Sequence, residues 1–216
     1  MTAGKRQIWQ YGNIAKLNCG VMRMAKYEDL MAQFENPLAC PCEMTIGDGL
    51  VVDVTDDMND FNDEKLRSYH LVISLNDNPG HSPEQRAAFE RYMKNGGAWF
   101  GFHSAGYNDR STNWPWFVDF LGGAIFNRNN WPPQSAKLEI DDPRHPVTKG
   151  MPRTYISPQN EWYQFRPSPR EKENVKVFVT LSKDNYPIGF KDTVTDGDWP
   201  VVWSNTDYNM IYMNTI

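Results

Sequence analysis

The stretch Asn95-Gly96-Gly97-Ala98-Trp99-Phe100-Gly101-Phe102-His103-Ser104-Ala105-Gly106-Tyr107 is an apolar run that ends in a histidine, a serine and a glycine. Before it, Pro83–Asn95 carries apolar residues at helical spacing among charged ones, which predicts a helix that ends at Gly96-Gly97. The run itself is typical of a buried strand, and open α/β sheets bind ligands at the carboxyl ends of their strands. His103 and Ser104 are therefore predicted to lie at a binding site.

Strands and helices alternate along the first half of the chain. Strands are predicted at Leu50–Val54, at Leu71–Leu75 and in the run that ends at His103, with a helical turn at Asp63–Ser68 and the Pro83–Asn95 helix between them. This order favours a parallel sheet with right-handed crossovers. The second half combines a helix at 114–121 with a turn at 122–126 that enters a short strand, and with further strands at 137–140, 175–181, 201–204 and 210–213. Residues 1–48 show no clean strand, and their one helix candidate is Tyr27–Phe34.

Size and charge exclude several classes of protein. The chain has 216 residues and 40% hydrophobic content, which fits one domain around one core. The net charge of −5 and the lack of a Lys/Arg cluster argue against nucleic-acid binding, which depends on phosphate neutralisation. The sequence predicts neither a membrane span nor a signal peptide. A cytoplasmic location is expected on that basis, although a secreted chain that had lost its leader would look the same.

The three cysteines, Cys19, Cys40 and Cys42, all lie in the first fifth of the chain. They do not form a disulfide framework, and a zinc site would need four ligands that this segment does not supply. Elsewhere a metal site would require His103, His145 and Glu161 to meet in space. We therefore expect no metal and no cofactor.

Aromatic residues are abundant in stretches that proline and asparagine should keep irregular. Eight Trp and ten Tyr stand beside fifteen Pro. Aromatic faces next to amides and carboxylates suit a neutral, polyhydroxylated ligand, although such rings can also anchor loops. We predict that at least three of Trp114, Trp116, Trp131, Trp162 and Tyr163 line one cavity with His103. The full set of predicted substrate contacts is Ser104, Tyr107, Trp114, Trp116, Trp131, Asn160, Trp162 and Tyr163.

Two titratable residues are predicted to carry the chemistry. An imidazole at a strand end, His103, can accept or donate a proton near neutral pH. Glu161 stands between aromatic residues, where partial burial would raise its pKa. We predict that His103 and Glu161 form an acid/base pair. The alternatives are a structural histidine and a solvated loop carboxylate.

A serine hydrolase is a further alternative. Ser104 follows a strand as a nucleophile elbow does, and a triad can be written with Asp141 or Asp142 and His145. The elbow motif places a glycine two residues before the serine, however, and Phe102 stands there.

Eight motifs occur in the order of a known family. They are Val54-Thr55-Asp56-Asp57, Leu66-Arg67-Ser68-Tyr69-His70, Asn95-Gly96-Gly97 with Gly101-Phe102-His103-Ser104-Ala105, Trp114-Pro115-Trp116, Leu121-Gly122-Gly123, His145-Pro146-Val147-Thr148, Asn160-Glu161-Trp162-Tyr163, and Pro200-Val201-Val202-Trp203. From about Leu50 onward the chain resembles the ThuA-like (trehalose utilisation) domains. The resemblance implies a single domain over residues 1–216 with the class I glutamine amidotransferase-like, flavodoxin-type α/β fold. In that fold a doubly wound, mostly parallel sheet carries extra strands in the C-terminal half.

The resemblance also implies a function. Where amidotransferases carry a nucleophilic cysteine, this family has a histidine, which matches His103, so glutamine amidotransferase activity is not expected. The family handles disaccharides or their 3-keto derivatives, which implies a small carbohydrate as the partner and leaves a homo-oligomer open.

Three departures from the family pattern favour an alternative that binds a sugar or a partner without turnover. Residues 1–48 match poorly, and the chain stops at Ile216, before a Gly-His pair that the family usually carries. Asn127-Arg128-Asn129-Asn130-Trp131 stands where many members carry a histidine.

Overall fold

The computed structural model describes residues 6–11, 14–18, 44–46, 50–75, 77–109, 111–191 and 193–215. The chain divides into two compact units, Met1–Trp99 and Phe100–Ile216. The boundary between them falls inside strand β6, Ala98–Phe102.

The first unit holds a mixed sheet in the order β3-β4-β1-β2-β5. Its strands are β1 (Arg6–Tyr11), β2 (Ile14–Asn18), β3 (Met44–Ile46), β4 (Leu50–Thr55) and β5 (Leu71–Leu75). Strand β1 runs parallel to β4 and β5, whereas β2 and β3 pair antiparallel with their neighbours. The expectation that residues 1–48 hold no clean strand is therefore wrong. The helix candidate Tyr27–Phe34 and the three cysteines lie outside the described residues.

Helices α1 (Asp63–Leu66) and α2 (Pro83–Lys94) complete the described part of this unit. Helix α2 begins with a capping box between Ser82 and Gln85, which satisfies two free backbone N–H groups of the first turn. Its Phe89 is fully buried and contacts Trp99 at the start of β6. Strand β5 is buried from Leu71 to Ser74, which confirms the expectation of a strand covered on both faces.

The second unit contains a sheet in the order β6-β13-β12-β11-β8-β9 and a separate two-stranded sheet. The large sheet adds β8 (Gln134–Ile140), β9 (Thr154–Asn160), β11 (Val175–Leu181), β12 (Pro200–Asn205) and β13 (Asn209–Met213). The small sheet pairs β7 (Phe126–Asn129) antiparallel with β10 (Tyr163–Phe165), and helix α3 spans Pro115–Phe120. The pairings from β13 to β9 are antiparallel, and β9 and β10 were not foreseen. The α/β class is confirmed, with a mixed sheet.

Candidate functional site

His103 stands at a strained turn directly after β6. Its φ is +47°, and Asn113 is the other non-glycine residue with positive φ in the described chain. The left-handed region is uncommon for residues with a side chain, so surrounding contacts must hold the turn. The buried Tyr212 hydroxyl donates to the His103 carbonyl at 2.6 Å. A Cβ on Gly106 would come within 2.2 Å of the Tyr212 ring, so the turn and this ring are closely packed.

The imidazole of His103 faces the carboxylate of Glu161. His103 Nε2 lies 3.4 Å from Glu161 Oε2, and the two side chains are 8% and 22% exposed. Glu161 follows β9 and precedes β10, so one end of each of three strands contributes to this contact. The structure therefore brings together the two residues that the sequence predicted as an acid/base pair.

Aromatic rings fix the orientation of the imidazole. The Tyr163 ring lies against His103 with centroids 4.4 Å apart and planes tilted by 31°. Phe126 and Tyr107 pack edge-on against Tyr163, at 5.0 Å and 6.2 Å. The His103 ring is thus held by an apolar wall on one side and meets Glu161 through Nε2.

Asparagine amides fix the other half of the pair. The Asn129 amide donates to Glu161 Oε1, which leaves Oε2 for His103. The buried Asn214 binds both backbone groups of Tyr163, accepting from its N–H at 2.9 Å and donating to its carbonyl. Asn130 accepts from the Trp162 N–H. The segment that carries Glu161 is therefore rigidly held, and sequence reasoning missed the roles of these three amides.

Burial moves both titratable groups toward their neutral forms. It lowers the pKa of His103 to about 4, because a charged imidazolium would lose its hydration. Burial also raises the pKa of Glu161, and the hydrogen bond from Asn129 partly opposes that shift. At neutral pH the imidazole is therefore uncharged, and the contact is not an ion pair. A neutral imidazole nitrogen can accept a proton, and the raised pKa of Glu161 brings its carboxyl group closer to the range in which it can donate one.

The other residues predicted to bind substrate differ in how deeply they are buried. Ser104 and Tyr107 are partly buried and follow His103 in the same turn region, while Asn160 is buried directly before Glu161. Tyr163 contacts His103 as described above. Trp131 is 41% exposed, two residues beyond Asn129.

Three of the predicted tryptophans pack against other parts of the protein. Trp162 is fully buried in the core, and its indole N–H donates to the Gln134 carbonyl. Trp114 is 5% exposed and stacks on Phe117, while Trp116 stacks on Phe120. That three of the five rings line one cavity with His103 stays a prediction. Proline and asparagine neighbours mark irregular backbone, but they do not determine which way a ring points.

The serine-hydrolase arrangement gains no support. A nucleophile elbow concentrates its backbone strain at the nucleophile, and here the positive φ belongs to His103 rather than Ser104. His145 stacks on Phe178, and Asp142 pairs with Lys176. Asp141 accepts from Arg170 and Thr180.

Among the described residues, no three His, Cys, Asp or Glu side chains are placed to hold a metal ion. Nor does any helix in the described ranges have the length and apolar character needed to cross a bilayer.

Comparison with known proteins identifies relatives of the chain. Residues 26–214 match the ThuA family, described as trehalose utilisation. A ThuA-like protein from Bacteroides uniformis ATCC 8492 is 48% identical, with a TM-score of 0.78 over 87% of this chain and 74% of that one. A ThuA-like protein from Parabacteroides merdae ATCC 43184 is 20% identical, with a TM-score of 0.46 over 65% and 57%. No curated protein matches the chain. The chain belongs to the ThuA family.

Proposed function

We propose that this protein is an acid/base enzyme of carbohydrate metabolism that acts on a disaccharide, a glycoside or a keto-sugar. The ThuA family connects the chain with carbohydrate metabolism related to trehalose utilisation. The observation that carries the proposal is the 3.4 Å contact between His103 Nε2 and Glu161 Oε2. A buried imidazole and a partly buried carboxyl group held at one point are typical of a catalytic centre.

In the proposed reaction His103 accepts a proton from a C–H or O–H group of the sugar. The imidazole is neutral at pH 7 and so has a nitrogen free to accept a proton, and its lowered pKa favours release of that proton afterwards. Glu161, with a raised pKa, donates a proton to the carbonyl or glycosidic oxygen where negative charge develops. Since the two groups are adjacent, a proton can then pass from His103 to Glu161 and restore the starting state.

The neighbouring polar residues are proposed to position the substrate. Ser104 and Tyr107 follow His103, and Asn160 precedes Glu161, so their polar groups are candidates for contacts to sugar hydroxyls. The Tyr163 ring, which already contacts His103, is proposed to pack against the sugar as well.

We also infer a single domain with a doubly wound, flavodoxin-type sheet. The parallel pairing of β1 with both β4 and β5 supports this inference, as does the position of α2 in the chain between β5 and β6. In such folds the turn after a strand end is the usual ligand site, and His103 occupies that position.

Turnover by matched variants tests the proposed pair. His103→Asn removes the imidazole but tolerates a positive φ, and Glu161→Gln removes the acid at constant size. With trehalose, maltose, sucrose and their 3-keto derivatives followed by NMR, we expect each variant to lower turnover by roughly 10²- to 10⁴-fold. His145→Asn and Glu173→Gln are matched controls outside the pair and should retain activity.

Two outcomes would contradict the proposal. One is a wild-type protein that converts none of these sugars, and the other is a pair variant that turns over substrate as fast as the wild type. Inhibition by an organophosphonate, which traps serine nucleophiles, would instead support the Ser104 hydrolase.

A further inference from the structure

Two exposed aromatic residues are joined through their backbones in the second unit. Phe190 is 77% exposed and Trp131 is 41% exposed, and they are the aromatic members of the exposed large apolar residues in the described chain. Their backbones are joined, because the N–H groups of Phe190 and Lys191 donate to the Trp131 carbonyl at 3.3 Å and 3.0 Å. The two aromatic residues therefore start from one backbone junction.

Hydrogen bonds connect this junction to the segment that carries Glu161. Gly189, the residue before Phe190, donates its N–H to Gln134 Oε1 at 3.2 Å. Gln134 is the register partner of Asn160, which directly precedes Glu161. The aromatic junction is thus attached to the strand end from which the carboxylate projects.

The chain also connects Trp131 to the carboxylate through Asn129. Asn130 is fully buried, whereas Asn129 is partly buried and Trp131 is exposed. The Cα atoms of Asn129 and Trp131 are separated by at most about 7 Å. Because the Asn129 amide binds Glu161, the backbone of Trp131 lies two residues along the chain from a side chain that contacts the carboxylate.

We propose that Trp131 and Phe190 form a second sugar subsite, and that the substrate carries at least two rings. The inference rests on the proposed function and specifies its substrate class as a disaccharide or a glycoside with a comparable second group. One ring of the ligand is bound at His103 and Glu161, and the next stacks on the exposed aromatic faces. Aromatic faces suit the apolar C–H faces of a neutral sugar.

A protein partner fits these two rings less well. A stable interface buries about 800 Å² on each side, whereas one aromatic side chain supplies about 150–250 Å². Two side chains therefore fall well short of such an interface but are large enough to cover one sugar ring.

Binding measurements with one-ring and two-ring sugars test the subsite. We expect Trp131→Ala and Phe190→Ala each to weaken binding of trehalose and maltose by about tenfold in titration calorimetry, which corresponds to about 1.4 kcal/mol. Binding of glucose should be unchanged, because it needs only the first position. Ile156→Ala is the matched control, since Ile156 is 69% exposed and apolar but lies on β9 outside the junction.

Three results would overturn the inference. They are disaccharide binding by both variants equal to the wild type, no saturable binding of either disaccharide by the wild type, and a changed oligomeric state of the variants in sedimentation. Failure of the proposed function is distinguishable from these results. If Trp131→Ala weakens disaccharide binding while no sugar is turned over, the subsite stands and the catalytic proposal falls. If turnover depends on His103 and Glu161 but Trp131→Ala leaves disaccharide binding unchanged, the catalytic proposal stands and the subsite falls.

Discussion

His103 combines an unfavourable backbone conformation with a buried ring. A left-handed φ costs a residue with a side chain roughly 1–2 kcal/mol, and burial penalises the charged imidazolium. The contacts from Tyr212 to its carbonyl and from Tyr163 to its ring hold it in place. Strain of this kind is concentrated at functional sites, where it aims a side chain that ordinary backbone could not.

The lowered pKa of His103 predicts a pH-dependent stability. Above pH 6.5 the imidazole is neutral in both the folded and unfolded states. Between pH 6.5 and about 4, His103 binds a proton in the unfolded chain but not in the folded protein. The free energy of unfolding therefore decreases as the pH falls. The pKa difference corresponds to about 3 kcal/mol. Urea denaturation should show this loss in the parent and not in His103→Asn.

Glu161 changes the pH dependence of stability in the opposite direction, so the effect of His103 is measured in variants that lack the Glu161 carboxyl group. Its raised pKa means that the folded protein binds a proton more readily than the unfolded chain, which adds stability at low pH. Glu161→Gln and the double variant Glu161→Gln/His103→Asn should therefore be compared. If the free energy of unfolding changes with pH in the same way in these two variants between pH 6.5 and 4, His103 is not buried as described.

The sequence was sufficient to predict that His103 and Glu161 meet, but not to predict the residues around them. A histidine after an apolar strand and a carboxylate among aromatic residues are local patterns, so both can be recognised from neighbouring residues in the sequence. Asn129 gave no such signal, because an amide acts through the partner that the fold supplies. The exposure of Phe190 likewise could not be read from its sequence neighbours.

At the scale of elements, the pairing of β7 with β10 supports the site. Asn129 and Tyr163 are register partners in this small sheet, which places the amide beside Glu161 and the ring beside His103. Asn214, beyond β13, then binds both backbone groups of Tyr163. The contact ties the small sheet to the segment that follows the large one.

Removal of the Asn214 amide should weaken this attachment. Asn214→Ala leaves the N–H and the carbonyl of buried Tyr163 without their partner, and each unsatisfied group costs about 1–3 kcal/mol. We expect a loss of roughly 2–4 kcal/mol in the free energy of unfolding, measured by urea denaturation. The exposed Asn59→Ala should change stability by no more than about 0.5 kcal/mol. Equal losses in the two variants would refute the structural role of Asn214.

Strong periodicity determined which elements could be predicted. Strand β5 is apolar apart from Ser74, and β11 is apolar apart from Lys176 and Thr180, and both were predicted with their observed bounds. Strand β9 reads Thr-Tyr-Ile-Ser-Pro-Gln-Asn and lies at the sheet edge, where exposed polar residues are tolerated and the usual pattern is lost. Strands β1 to β3 were not predicted, because their mixed polarity gives no sustained alternation of apolar and polar residues.

For the whole molecule, family membership confirms the resemblance found in the motif order. Chain order alone could not reveal that the second unit would be built mainly of antiparallel pairs, because pairing direction depends on long-range contacts.

The chemistry of the whole protein should be independent of its thiols. Amidotransferases attack glutamine with a cysteine at a strand-end elbow, whereas the residue that follows the end of β6 in this chain is His103. Its three cysteines stand at positions 19, 40 and 42, far from residue 103 in the sequence. Incubation with glutamine should therefore release no ammonia, and iodoacetamide should leave the sugar-directed turnover unchanged.

A Cys19→Ser/Cys40→Ser/Cys42→Ser variant separates loss of a reactive thiol from damage caused by alkylation. If this variant folds but loses turnover, a cysteine takes part in the reaction and His103 is not sufficient as its base. If it turns over sugar like the wild type, no thiol takes part in the reaction, as the proposed His103 and Glu161 pair requires.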